Sequence, residues 1–159
     1  MSKDRFGRYV VRAQRFGART VLFQDAAARR LDLTATELEC FRLVQHEGPL
    51  TATDLARETG LTRASLSVIV DKLVSRKLLG REQDPNDRRR WILRPNPGAI
   101  AKVEAIYAAH ASRVEKLLDE YTEEEFEVVL RFMEQLADEL KNTAIRLTQG
   151  EAAREPGKM

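Results

Sequence analysis

Residues 61–93, LTRASLSVIVDKLVSRKLLGREQDPNDRRRWIL, decide the fold. The stretch begins as a helix, because Thr62 is a capping residue and apolar residues then recur at helical spacing to about Lys77. It ends as a hairpin, with strand-like pieces at about 78–83 and 90–94 on either side of the turn-rich sequence Asp-Pro-Asn-Asp. A helix of this size fits the major groove of DNA, and an arginine-tipped hairpin can reach the adjacent minor groove. The stretch therefore predicts a winged helix-turn-helix.

The residues just upstream supply the other half of the helix-turn-helix. Thr51 caps a short helix over about 52–59, which stops at Gly60, and a tight turn then leads into the recognition helix. An earlier helix, about 34–47, opens on the capping-box pattern Thr-x-x-Glu and ends at a Gly-Pro pair. This order of elements is typical of a compact DNA-binding module.

Longer helices flank the module on both sides. Apolar residues at helical spacing predict a first helix over about 4–30, and Asn96 followed by Pro97 predicts the start of another that runs to about 120. A second Thr-x-x-Glu box opens the last helix, about 122–147. Outer helices with apolar stripes and no core of their own usually pack against a second copy. We therefore expect a mostly α fold with a small β-hairpin wing, divided into 1–32 (N-terminal helix, dimerisation), 33–95 (winged helix-turn-helix), 96–148 (C-terminal helices, dimerisation) and 149–159 (disordered tail).

Charge and composition narrow the class of protein. The 159 residues carry a net charge of only +2, but ten cations and six anions fall within 50–94, a local charge of +4. This distribution indicates that nucleic acid would meet the middle of the chain. No apolar run is long enough to span a membrane, and residues 1–9 lack a secretory-signal pattern. We therefore expect a cytoplasmic protein without membrane contact.

The sequence lacks the motifs of catalysis and metal binding. There is no glycine-rich phosphate loop, nucleophile elbow or paired-histidine pattern. The single cysteine, Cys40, and the well-separated His46 and His110 exclude a thiolate zinc cluster. We therefore expect no enzyme activity, no metal and no cofactor, and we predict that Cys40 packs in the core rather than senses oxidants.

Several of these stretches resemble the MarR family of bacterial transcription regulators. The match lies at 31–34, 46–51, 54–56, 60–62, 70–73 and, most specifically, in the wing at 81–89, which reads Arg-x-x-Asp-x-x-Asp-Arg-Arg. The resemblance implies a homodimer that is joined through its terminal helices, binds a pseudopalindrome in double-stranded DNA and is released by a small ligand or by oxidation. Two departures are Val68, where members often carry Arg or Lys, and Arg94-Pro-Asn-Pro97, which replaces the usual start of the next helix.

The helical wheel of the recognition helix separates a core face from a groove face. Leu66, Ile69, Val70 and Leu73 form the core face, and Asp71 and Ser75 lie on the opposite side. Val68 could read a thymine methyl or be an inert exposed hydrophobe, and the two capping threonines could also contact phosphates. The predicted DNA contacts before the wing are Thr51, Thr62, Arg63, Ala64, Ser65, Ser67, Val68 and Lys72.

The wing completes the predicted interface with Arg88, Arg89 and Arg90. Because Asp84 and Asp87 lie in the same turn, we expect one arginine to pair with an aspartate and stiffen the wing while another enters the minor groove. By resemblance Arg88 and Arg89 are the groove candidates, and the sequence leaves their separate roles open. A fully solvated wing is the alternative.

The sequence leaves the mode of regulation open. We expect a repressor, and an aromatic or phenolic effector is compatible with a pocket where the outer helices meet the DNA-binding lobe. Side chains that could line such a pocket could equally belong to the core or to the dimer seam: Tyr9, Phe16, Phe23, Phe41, Tyr107 and His110. A nonspecific architectural DNA binder is the alternative, and it would lack the roughly thousandfold sequence preference of a regulator.

Overall fold

The computed structural model describes residues 3–148, and the predicted disordered tail, 149–159, lies outside them. Six helices and three short strands follow one another along the described residues. In chain order they are α1 Lys3–Arg29, α2 Ala35–Glu47, β1 Leu50–Thr51, α3 Ala52–Thr59, α4 Arg63–Ser75, β2 Leu79–Gln83, β3 Trp91–Pro95, α5 Pro97–Leu118 and α6 Glu123–Thr148.

The three strands form one antiparallel sheet in the order β1-β3-β2. In the hairpin, Arg81 lies opposite Leu93, and on the other edge of β3 Thr51 lies opposite Ile92. The predicted fold class, mostly helical with a β-hairpin wing, is confirmed. Strand β1 was not predicted from the sequence, since a two-residue strand has no periodicity of its own.

The described residues form two compact units, divided after Glu39 within α2. In the first unit, α1 ends at Arg29, one residue before its predicted end. Asp32 has a φ of 54°, and the Leu33 N–H donates to the Ala28 carbonyl at 3.0 Å, which closes the helix. The predicted capping box at the start of α2 is present, because the Glu37 carboxylate accepts from the Thr34 N–H at 2.9 Å and the Thr34 hydroxyl accepts from the Glu37 N–H at 3.2 Å.

The core of the second unit joins the helix-turn-helix to the sheet. Its members are almost entirely buried: Phe41, Val44, Leu55, Leu66, Val70, Leu73, Leu79 and Leu93. Three of the four residues on the predicted core face of α4 are therefore confirmed, and the fourth, Ile69, is half-buried. Cys40 is 1% exposed, as predicted for a packed thiol. This core fixes α4 against α3 and β2, so that the other face of α4 stays accessible.

Helix α4 ends two residues earlier than predicted. Lys77, with a φ of 57°, adopts the left-handed conformation, and the Leu78 N–H returns to the Leu73 carbonyl at 2.9 Å. Asn96 also differs from its predicted capping role. Its side chain donates to the Lys77 carbonyl at 2.6 Å and makes no cap for α5, so it ties β3 to the end of α4.

The outer helices leave much apolar surface uncovered. Phe16 and Val21 are exposed on α1. On α6, whose start has the predicted capping box of Thr122 and Glu125, no side chain is buried, and Met133, Leu140 and Leu147 are exposed. Patches of this kind mark interaction surfaces. None of the helices described is long and apolar enough to cross a membrane.

Candidate nucleic-acid interface

Helix α3 begins at a capping box and ends at a left-handed glycine, which opens the turn of the helix-turn-helix. The Thr51 hydroxyl accepts from the Asp54 N–H at 3.1 Å, and the Asp54 carboxylate accepts from the Thr51 N–H at 3.1 Å. At the other end of α3, Gly60 has a φ of 68° and donates its N–H to the Ala56 carbonyl. A side chain is strained at such a φ. Gly60 therefore directs the chain out of α3 and into the turn before α4.

A second cap organises the start of α4. The Thr62 hydroxyl accepts from the Ser65 N–H at 3.2 Å and lies 2.9 Å from the Ser65 hydroxyl. Both side chains are exposed, so this pair of linked hydroxyls remains accessible at the first turn of the recognition helix.

The face of α4 predicted to meet DNA is largely open. Val68 is 70% exposed in the middle of it, and Lys72 is half-buried. Thr51 is the exception among the predicted contacts: it is 9% exposed and its hydroxyl is engaged in the capping box, which favours its capping role. The exposed members of the set on this helix and its cap are Thr62, Arg63, Ala64, Ser65, Ser67 and Val68.

The tip of the wing is stiffened by its aspartates through the backbone. Asp84 accepts from the Asn86 N–H at 2.8 Å, and Asp87 accepts from the Arg89 N–H at 3.0 Å. The Arg90 N–H also donates to the Asp87 carbonyl at 2.9 Å. These bonds fix the turn without using any guanidinium group. Within the part of the chain that the structure describes, no carboxylate pairs with the side chain of Arg88 or Arg89.

The prediction that a wing arginine pairs with an aspartate of its own turn is wrong, because Asp84 and Asp87 accept backbone N–H groups instead. Arg90 lies 3.6 Å from Asp54 of α3 rather than against an aspartate of its own turn. The sequence could not show this pair, because the two residues are far apart along the chain and meet only when β1 pairs with β3.

Two further ion pairs stabilise the wing, and neither was predicted from the sequence. Arg81 of β2 donates to Asp71 of α4 at 2.5 Å, and Arg94 donates to Glu82 across the hairpin at 2.6 Å. The second lies between neighbouring strands, where opposite charges attract. The helical wheel predicts Asp71 on the groove face of α4, but its carboxylate is turned to β2.

The charge of Asp54 is favoured by its surroundings. Hydrogen bonds from the Thr51 hydroxyl and then from the Thr51 backbone hold the pKa of this carboxyl below its usual range, and Arg57 and Arg90 lower it further. Partial burial opposes the shift without cancelling it. Asp54 is therefore a carboxylate whose charge stabilises the local structure.

The aromatic residues considered as effector contacts divide between the two units. In the first unit Phe16 is exposed, whereas Tyr9 and Phe23 are half-buried. In the second unit Phe41 is buried, His110 is exposed and Tyr107 lies under the Arg42 guanidinium at 4.6 Å. No group of His, Cys, Asp or Glu side chains suited to a metal ion is found among residues 3–148.

Comparison with known proteins gives one family. A family model described as "MarR family" matches residues 31–90. The chain is 36% identical over 136 residues to YcgE of Bacillus subtilis, an uncharacterized HTH-type transcriptional regulator, over 86% of this chain and 88% of the relative.

Solved structures share the fold. A mutant MarR of E. coli in complex with operator DNA aligns with a TM-score of 0.56 at 18% identity, covering 82% of this chain and 91% of that one. BpsR of Bordetella bronchiseptica, whose DNA binding is regulated by 6-hydroxynicotinic acid, aligns with a TM-score of 0.54 at 21% identity, covering 83% and 92% of the two chains.

Proposed function

Because this chain belongs to the MarR family of transcriptional regulators, we propose that it is a sequence-specific repressor that binds a pseudopalindromic operator as a homodimer. The observation that carries the proposal is the open face of α4 beside a wing whose Arg88 and Arg89 have no ion-pair partner among the described residues. A helix face of this kind reads base edges in the major groove. Free guanidinium groups suit a narrow minor groove.

The roles of the contact residues follow from their chemistry. Val68 reads a thymine methyl, since apolar groups contact that methyl. Ser65, Ser67 and Arg63 supply polar contacts at the first turns of α4, with Thr62, Ala64 and Lys72 completing the same surface. One of Arg88 and Arg89 enters the minor groove. Arg90 contributes charge beside them while paired with Asp54.

The homodimer accounts for the uncovered apolar surface of the outer helices. On α6 the residues Val129, Met133, Leu140 and Leu147 are all exposed, and they repeat at coiled-coil spacing, in steps of four and seven. A symmetric dimer that buries such faces presents two recognition helices, which is what an inverted repeat requires.

Release by a small aromatic or phenolic effector completes the proposal. It is supported by the fold shared with BpsR, whose DNA binding responds to an aromatic acid. An effector of this kind acts by favouring a dimer in which the two recognition helices are wrongly spaced. The test is loss of fluorescence anisotropy from a labelled operator as aromatic acids and phenols are added one by one. Unchanged anisotropy throughout the series would remove the effector from the proposal.

Selection of binding sites from a random duplex pool at near-physiological salt tests the main proposal. We expect an enriched inverted repeat with half-sites about one helical turn apart. Salt-sensitive binding without enrichment would instead support the architectural alternative, and an absence of binding at any salt concentration would contradict both.

A further inference from the structure

An open cleft lies between α3 and the tip of the wing, outside the groove face of α4. Its lining includes Thr53, Asp54 and Arg57 from α3 and Arg89, Arg90 and Trp91 from the wing; we call it the α3–wing cleft. Arg57 lay outside the set of DNA contacts predicted from sequence. The cleft therefore brings together charged groups of α3 and of the wing. These groups lie outside the recognition helix.

The cleft carries an excess of positive charge. The lining contains three guanidinium groups, those of Arg57, Arg89 and Arg90, and one carboxylate, that of Asp54, which leaves a net charge of +2. Arg57 and Arg90 lie 3.5 and 3.6 Å from that carboxylate and are 70% and 53% exposed. Ion pairs this long and this exposed are weak. The guanidinium groups can therefore keep Asp54 as a partner while binding a second anion.

A DNA phosphate matches this chemistry better than an apolar effector. The guanidinium fork binds phosphate oxygens bidentately, and three such groups line the cleft beside the Trp91 ring. Arg89 belongs both to the cleft and to the wing tip that is proposed to enter the minor groove. A phosphate that flanks that groove would therefore come within reach of Arg57.

We infer that the α3–wing cleft holds one backbone phosphate of the operator in each protomer. Arg57 and Arg89 bind the phosphate, and the Asp54–Arg90 pair positions the wing so that the two arginines converge. The inference rests on the proposed function, because it takes DNA as the anion. It adds a contact that contributes affinity but no sequence preference.

The salt dependence of DNA binding tests this site, measured by fluorescence anisotropy in a phosphate-free buffer. Arg57→Gln should weaken binding about tenfold on the selected operator and on an unrelated duplex alike. The loss of two phosphate contacts per dimer should also reduce the magnitude of the slope of log K against the logarithm of the salt concentration by about 1.8. Arg57→Lys keeps the charge and should retain the wild-type slope. Lys102→Gln, which removes an equal charge from the exposed side of α5, is the matched control.

A duplex with one neutral methylphosphonate at successive positions locates the phosphate. We expect one position per half-site at which the neutral linkage weakens wild-type binding but has no additional effect on Arg57→Gln. Equal slopes for Arg57→Gln and Lys102→Gln, or fully additive effects at every position, would overturn the inference. A failure of the proposed function is distinguishable, since it removes operator selection but leaves the salt slope on unrelated DNA measurable.

Discussion

At the scale of single residues, Asp54 connects the cap of α3 to the wing. Its carboxylate accepts from Thr51 and lies within 3.6 Å of Arg90. A substitution at this one position therefore disturbs both a helix terminus and the hairpin. The Thr-x-x-Asp capping pattern can be found in the sequence, whereas the link to the wing cannot.

Asp54 should make part of the stability depend on pH. Because the pKa of this carboxyl is lower in the folded chain than in the unfolded one, the carboxylate stabilises the fold above the unfolded value of about 3.9. That contribution is lost as the pH falls through the lowered pKa. Asp54→Asn should therefore cost about 1 kcal/mol at neutral pH and progressively less in acid.

The free energy of unfolding in urea is measured by circular dichroism at pH values from about pH 6 down to about pH 3. Glu124→Gln, at an exposed site in the first turn of α6, controls for removal of a carboxylate. A difference between wild type and Asp54→Asn that stays constant over this range would contradict the assigned role.

Val68 provides a prediction about base reading. If it contacts a thymine methyl, Val68→Ser should reduce discrimination at that base pair by about 1 kcal/mol, the lower end of the range for a direct contact. Affinity for unrelated DNA should stay the same. Competition between the selected operator and a copy with that thymine replaced by uracil, which lacks the methyl, measures this directly. Equal loss of affinity for every duplex would count against direct readout.

Some predictions about single residues depend on local periodicity, and others depend on tertiary contacts. Helical periodicity placed Leu66, Val70 and Leu73 in the core, and their burial confirms it. Ion pairs such as Arg81 with Asp71 were not predictable, because any exposed arginine can pair with several carboxylates. Only the register of the hairpin against α4 selects the partner.

At the scale of elements, the end of α6 packs on the turn of the helix-turn-helix. Lys141 pairs with Glu58 of α3, and both side chains are about one-third exposed. A Cβ added at Gly60 would lie 3.3 Å from Ile145 Cγ1. Through this contact α6 packs directly against the turn that positions α4.

Gly60→Ala should therefore destabilise the fold for two separable reasons. The left-handed φ of 68° costs a side chain about 1 kcal/mol, and the close approach to Ile145 adds to it. Thermal and urea unfolding of Gly60→Ala, Ile145→Ala and the double variant measure the two effects. We expect Gly60→Ala to be about 0.5 kcal/mol less costly in the Ile145→Ala background. If the effects of the two substitutions on the free energy of unfolding were strictly additive, Ile145 of α6 would not be in close contact with the turn.

The boundaries of the elements were less predictable than their order. Capping patterns correctly located the starts of α2, α3, α4 and α6, because a cap depends on neighbouring residues only. The end of α4 depends on Lys77 taking a left-handed conformation, for which Lys carries no local signal. Likewise, β1 exists because β3 offers an edge, which is a tertiary property.

At the scale of the whole molecule, the apolar surfaces of the outer helices are the dominant unexplained feature of a single chain. Phe132 and Met133 are about half exposed, and Leu140 is 63% exposed. An apolar stripe of this kind is costly to leave in water. Its presence on α6 was predictable from sequence periodicity, but its partner was not, since periodicity does not reveal what covers a face.

The last prediction concerns the dimer that would cover this face. Leu140→Glu places a charge in the apolar stripe of α6, where an interface would have to desolvate it. The variant should sediment as a monomer in analytical ultracentrifugation. It should also bind the full inverted repeat at least about a hundredfold more weakly, because the two recognition helices are no longer linked.

Affinity for a duplex with a single half-site should be unchanged, since α4 and the wing are intact in a monomer. Gln135→Glu adds the same charge to an exposed position on another face of α6 and should remain dimeric. Matching circular dichroism spectra would show that both variants keep the fold. If Leu140→Glu stayed dimeric and still bound the inverted repeat tightly, α6 could not be the seam, and its apolar stripe would need another partner.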